Sequence, residues 1–75
     1  MLLRDSTGRS VEFRLFAPSG VDFAEDWLNA GCLPRDVDGA YLVESIDYVI
    51  DYVNDAINGR NPDIDGKLDA DLWVM

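Results

Sequence analysis

The sequence predicts a small α+β domain, and three patterns carry that prediction. Apolar and polar residues alternate over residues 11–16, as they do in a half-buried β-strand. Apolar residues recur at helical spacing over residues 42–57. Residues 72–75 are apolar enough to form a closing strand. A chain of 75 residues is one domain, and we expect the element order ββα(β)αβ.

Two short apolar runs at the start of the chain predict an N-terminal β-hairpin. The runs are Met1–Arg4 and Val11–Phe16, and the segment between them contains Gly8, which adopts the positive φ of a tight turn at no steric cost. In the second run, the alternation places Val11, Phe13 and Leu15 on one face, so we expect this face to be buried.

A short first helix is predicted to run as far as Ala30. The segment 17–20 breaks the preceding strand, either Ser19 or Asp22 is suited to cap the helix, and Gly31 ends it. The following segment, residues 32–39, is rich in Pro, Asp and Gly and is predicted to be a loop. Cys32 is the only cysteine, and we expect it to be a small buried thiol.

The strongest pattern in the chain is an amphipathic helix from Leu42 to Ile57. Its start is open between residues 40 and 45, because residues 40–43 also suit the beginning of a strand, whereas Asn58 and Gly59 form a good C-terminal cap. Apolar residues lie on one side of the helix. We predict that four of them belong to the core: Val49, Ile50, Val53 and Ile57.

The opposite side of this helix carries a row of carboxylates. Glu44, Asp47, Asp51 and Asp55 fall within about 80° of one another around the helix axis, and no Lys or Arg occurs between residues 36 and 59. Acids spaced four residues apart repel each other by a few tenths of a kcal/mol per pair. We therefore expect the three aspartates to be exposed and interpret the row as a binding face; the alternative is a solvated face that serves solubility.

Two tyrosines flank the row of carboxylates. Tyr48 and Tyr52 are four residues apart, and their amphipathic rings are suited to anchor an interface or to stack on arginine. The alternative is that both rings pack on the edge of the core.

The charge limits the class of partner. The net charge is −9, and residues 15–59 hold nine acids against a single cation, Arg35. Direct binding to nucleic acid or to an anionic membrane needs Lys and Arg, so this balance instead favours a basic protein partner, a cation or simple solubility.

The residues of most enzyme sites are missing from the sequence. There is no histidine, the commonest general base and metal ligand, and a single cysteine forms neither an internal disulfide nor a thiolate cluster. We expect a binding protein without a cofactor. No stretch is apolar enough for a signal peptide or a membrane span, so we expect a cytoplasmic protein.

Residues 61–72 resemble an EF-hand calcium loop. Oxygen-bearing side chains occupy the loop positions that ligate calcium, and Gly66 stands where the loop turns sharply. The resemblance implies four ligands: Asn61, Asp63, Asp65 and Asp69. Leu72, however, occupies the twelfth position, which carries a bidentate acid in calcium loops. We therefore keep a cation-binding module as an alternative and expect weak calcium binding.

The segment Glu44–Asp47 resembles the Asp-Ser-Leu phosphopantetheine site of acyl carrier proteins. Ser45 would be the modified residue, at the head of an acidic helix. A carrier protein has one helix before this serine and two after it. The strand-like front of this chain departs from that pattern.

In size and charge, the whole chain resembles the small acidic inhibitors of phages and mobile elements, the anti-CRISPR and other DNA-mimic proteins. The resemblance rests on no sequence motif, and antitoxins and bacteriocin immunity proteins share the same profile. It implies that carboxylates take the place of phosphates on a basic nucleic-acid-binding surface. The partner-binding residues would be Glu44, Asp47, Tyr48, Asp51, Tyr52 and Asp55.

Overall fold

The computed structural model describes all residues from 1 to 75 and shows a four-stranded mixed sheet with two helices. The elements are β1 (Leu2–Arg4), β2 (Ser10–Phe16), α1 (Ala24–Ala30), β3 (Tyr41–Leu42), α2 (Ile46–Ile57) and β4 (Asp71–Val74). The strand order is β3-β1-β2-β4. This architecture confirms the predicted α+β class, including the hairpin and the closing strand.

Strands β1 and β2 form the predicted antiparallel hairpin, with Leu3 opposite Val11. The turn is closed by a bond from the Gly8 amide to the Asp5 carbonyl, and Gly8 has φ +85°. The Thr7 hydroxyl donates to Asp5 Oδ1 at 2.5 Å, and this bond, together with backbone amides, holds the pKa of the Asp5 carboxyl below its ordinary value. The turn is therefore ordered by its own side chains.

The remaining strands extend the hairpin on both sides. β3 pairs in parallel with β1, and β4 pairs antiparallel with β2, with Leu72 opposite Leu15. The loop before β3 is held in place by Tyr41, whose hydroxyl donates to Asn29 Oδ1 at 2.6 Å while the Arg35 guanidinium lies 4.3 Å from its ring centroid.

The core lies between one face of the sheet and the two helices. Phe13 and Leu15 are fully buried, as the alternation in β2 predicts, and they pack with Leu28 of α1 and Val53 of α2. The opposite face of the sheet is open to solvent and exposes Trp73. Neither helix has the length and hydrophobicity to cross a membrane.

The ends of α1 differ from the prediction. The N-cap residue is Phe23, and Asp22 acts from one position earlier by accepting the Ala24 amide at 3.0 Å. The left-handed residue that ends the helix is Cys32, with φ +52°, because Gly31 remains in the helical conformation. The side chain of Cys32 is exposed. The expectation of a buried thiol was therefore wrong, because a residue in this position turns away from the core.

Helix α2 starts later than the apolar pattern alone indicates. Ser45 is its N-cap and accepts the Tyr48 amide at 3.3 Å, whereas Leu42 belongs to β3. Asn58 caps its C-terminus, as predicted. Among the four predicted core residues only Val53 is fully buried; the other three, Val49, Ile50 and Ile57, are half-buried against the core.

Candidate functional site

The outward side of α2 presents an acidic face, defined here as Asp47, Asp51 and Asp55. All three aspartates lie within α2 and repeat every four residues. Successive members are therefore about 6 Å apart along the helix axis. Asp47 and Asp51 are exposed, as predicted, whereas Asp55 is half-buried. Arg60, just after the helix, folds back and pairs with Asp55, whose side chain is still 48 % exposed.

Two members of the acidic face have intramolecular cationic partners. Arg9 of the hairpin turn donates to Asp47 at 2.8 Å, and Arg60 lies 3.4 Å from Asp55. Both pairs are well exposed, so each contributes little to stability. Asp51, the central member, forms no ion pair. The charge most available to a partner is therefore at the middle of the face.

Glu44 lies apart from the acidic face. It precedes the N-cap Ser45 and is not part of the helix, so it does not continue the row. Its side chain is exposed and lines a different, shallow depression next to Arg4 and Asp5. The prediction that four acids form one row on the helix was wrong in this respect, because the chain is still extended at residue 44.

The two predicted tyrosines stand beside the acidic face as an aromatic pair, of which Tyr48 is exposed and Tyr52 is half-buried against the core. Tyr48 is 69 % exposed, and its ring centroid is 6.5 Å from that of Tyr52. Tyr52 is 6.4 Å from Trp27 of α1, and Trp27 in turn stacks at 6.1 Å on the buried Phe13. The tyrosines are thus supported from the core, which limits the conformational entropy that they lose in an interface.

The tyrosine pair separates two depressions of different character. On one side lies a depression of about 270 Å³, lined by Asp51, Asp55, the two tyrosines and Asp63 among others. We call it the acidic depression. It brings together four of the six predicted partner-binding residues and adds Asp63, to which the calcium-loop resemblance assigns a different role.

On the other side of the tyrosines lies an open cleft between the two helices, of about 490 Å³. We call it the interhelix groove. Eight of its nine lining residues are hydrophobic, including Trp27, Ala30, Leu33, Val43, Tyr48 and Tyr52. This groove could not be predicted from the sequence, because α1 is too short for its periodicity to show that Trp27 faces α2.

Residues 61–72 do not form the calcium loop that their spacing resembles. Asn61 is buried; its amide lies 3.5 Å from the Tyr52 carbonyl, and its Oδ1 accepts the Asp63 amide at 2.9 Å. No three acidic, cysteine or histidine side chains in the structure converge on a point where they share a metal ion. Asn61 thus closes the turn after α2, and Asp65 and Asp69 are exposed acids beyond it.

Ser45 acts as a helix cap in this structure, since its hydroxyl oxygen accepts the Tyr48 amide. The element before it is the two-residue strand β3, where a carrier protein would have a helix. The local geometry therefore explains the serine without any modification.

No protein family, curated protein or solved structure matches this chain.

Proposed function

We propose that this protein is a non-enzymatic inhibitor that acts in the cytoplasm by binding a basic, nucleic-acid-binding surface of another protein. Its acidic face occupies that surface in place of phosphates, as in anti-CRISPR and other DNA-mimic proteins. The tyrosine pair adds contact area next to the charges. An antitoxin or an immunity protein would use the same face, and the nature of the bound partner distinguishes these roles.

One observation carries the proposal: Asp51, Asp55 and the exposed Tyr48 lie together in one depression, and Asp51 forms no ion pair. Carboxylates repeated every helical turn repel one another, and a cationic surface relieves that repulsion. The spacing of about 6 Å between them is of the same order as the spacing of phosphates along a nucleic-acid strand.

The test is affinity capture from the source cell after nuclease treatment, followed by binding measurements with the purified partner. We expect a basic nucleic-acid-binding protein that duplex DNA or RNA displaces, with an association rate that falls steeply as salt increases. Asp51→Lys should weaken binding at least about tenfold, or about 1.4 kcal/mol. Reversal of Asp47, Asp51 and Asp55 together should abolish it.

Glu25→Lys is the matched control. Glu25 is exposed on α1, forms no ion pair and lines none of the depressions, and its reversal changes the net charge by the same amount as Asp51→Lys. Retention of binding by Glu25→Lys, with loss in Asp51→Lys, localises the interaction. Equal affinities for wild type and the triple variant, or an acidic partner, would refute the proposal.

A further inference from the structure

The interhelix groove has apolar walls but is flanked by charge. Ala30 on one wall lies one helical turn after Asp26, and Tyr48 on the other wall lies one turn before Asp51. Residues three or four apart are neighbours on a helix surface, so each wall carries a carboxylate beside it. Both carboxylates are exposed and free of ion pairs.

Three polar groups of residues that line the groove have no hydrogen-bond partner within the protein. The hydroxyls of Tyr48 and Tyr52 and the indole nitrogen of Trp27 form no intramolecular hydrogen bond. Aromatic residues of this kind, with an apolar body and a polar edge, are enriched at the centres of protein interfaces. A volume of about 490 Å³ accommodates more than one apolar side chain.

We infer that the interhelix groove receives the apolar face of a basic amphipathic helix from the partner protein. Apolar residues of that helix enter the groove, and Lys or Arg on both of its flanks meets Asp26 and Asp51. This inference rests on the proposed function and gives the basic partner a specific shape. A helix that binds in a groove is anchored by residues at i, i+3, i+4 and i+7, and a cleft lined by apolar residues of two helices can receive such a row.

Charge complementarity favours a basic helix over a second copy of this chain as the occupant of the interhelix groove. The protein carries a net charge of −9, and its own longer helix is lined with aspartates. Seating that helix in the groove of another copy would bring like charges together at the rim, which disfavours the contact. A basic helix meets the same rim with opposite charge.

The experiment uses the full chain with Trp73→Phe, which leaves Trp27 in the groove as the only tryptophan. Trp73 is exposed on the open face of the sheet, so this change leaves the core intact. The probe is a synthetic amphipathic helix of about five turns with leucines on one face and Lys and Arg on the others. A scrambled peptide of identical composition controls for charge alone.

We expect the amphipathic peptide to bind at least about tenfold more tightly than the scrambled peptide and to shift the emission of Trp27 to the blue. Ala30→Phe, which fills the groove at an exposed position, should remove this advantage. Val21→Phe adds an aromatic ring at an exposed apolar position outside the groove and should retain it. Circular dichroism confirms that each variant is folded.

The outcomes separate this inference from the proposed function. If the two peptides bind equally well and Ala30→Phe has no effect, the inference that the groove is a docking site is wrong. In that case, weaker binding of both peptides to Asp51→Lys would still support the proposed function of the acidic face. If Asp51→Lys binds both peptides as wild type does, the proposed function fails. Two further results would refute a basic helix as the occupant of the groove. One is that the protein forms a dimer that Ala30→Phe converts to a monomer. The other is that an acidic amphipathic peptide binds as tightly as the basic one.

Discussion

Asp36 organises the loop between α1 and β3 through hydrogen bonds and charge together. Its Oδ1 accepts the Asp38 amide at 2.9 Å and the Ala40 amide at 3.0 Å, and Arg4 of β1 donates to its Oδ2. Partial desolvation raises the pKa of Asp36, but the two amides and the guanidinium outweigh it and hold this pKa below its ordinary value. One side chain thus fastens a polar loop to the sheet.

Asp36→Asn should lower the thermal midpoint by an amount that depends on pH. A carboxyl with a lowered pKa in the folded state contributes its full stabilisation above the unfolded pKa of about 3.9, and this contribution is lost as the pH falls through the folded value. The difference between wild type and variant should therefore be largest near neutral pH and shrink in acid. Asp51→Asn is the control, because it removes the same charge from a side chain without these bonds. A difference that stays constant across the pH series contradicts the assigned role.

Neighbouring positions on α2 should respond in opposite ways to substitution. Val53 is 1 % exposed, so Val53→Asp buries a charge without a partner and should unfold the domain. Asp51→Ala removes one member of a repelling row and should leave the free energy of unfolding unchanged or raise it slightly. Chemical denaturation followed by circular dichroism measures both. A Val53→Asp variant as stable as wild type would contradict the packing of this helix.

At the scale of elements, residues 61–72 provide a test of how far sequence spacing predicts a metal site. Millimolar calcium should change the thermal midpoint little, because Asn61 is turned inward and Leu72 occupies the bidentate position. The measurement is a thermal melt in calcium and in chelator. A rise of many degrees that Asp63→Ala or Asp65→Ala abolishes would show that the turn rearranges into a calcium loop.

The elements that could be predicted are those whose signals are local. The hairpin follows from alternation around Gly8, and α2 follows from periodicity that ends at Asn58. The parallel pairing of Tyr41 and Leu42 with β1 had no local signal, since two residues carry no periodicity. The sequence leaves the start of α2 open between residues 40 and 45, because residues 40–43 also suit the beginning of a strand.

The candidate site was predictable only where it lies on one helix. The aspartates and tyrosines of α2 follow from helical spacing, and the structure places four of them in one depression. The pair between Arg9 and Asp47 and the stacking of Trp27 on Tyr52 join distant parts of the chain. Such contacts depend on tertiary packing, so sequence spacing does not reveal them.

At the scale of the whole molecule, repulsion between carboxylates works against folding. Of 15 acidic residues, only Glu12, Asp22, Asp36, Asp38, Asp47 and Asp55 belong to an ion pair. The remaining nine repel one another across a small surface.

Added sodium chloride should therefore raise the thermal midpoint. Salt screens the repulsion over the whole surface, whereas the exposed ion pairs that it weakens contribute only about 0–1 kcal/mol each. Thermal melts from low to high ionic strength measure the slope, with a neutral osmolyte as the control for general stabilisation. Asp51→Lys should reduce the slope, and a midpoint that falls with salt would show that the ion pairs dominate.

The position of β2 at the centre of the sheet also sets the order in which the domain can assemble. Its pairing with β1 closes a short turn, but its pairing with β4 joins the first part of the sequence to the last. Contacts between distant residues carry a larger entropic cost of loop closure and form late. Until β4 docks, the edge of β2 that pairs with it has open backbone groups, among them those of Glu12 that bond to Met75 in the folded domain. The chain is then most exposed to pairing with another molecule.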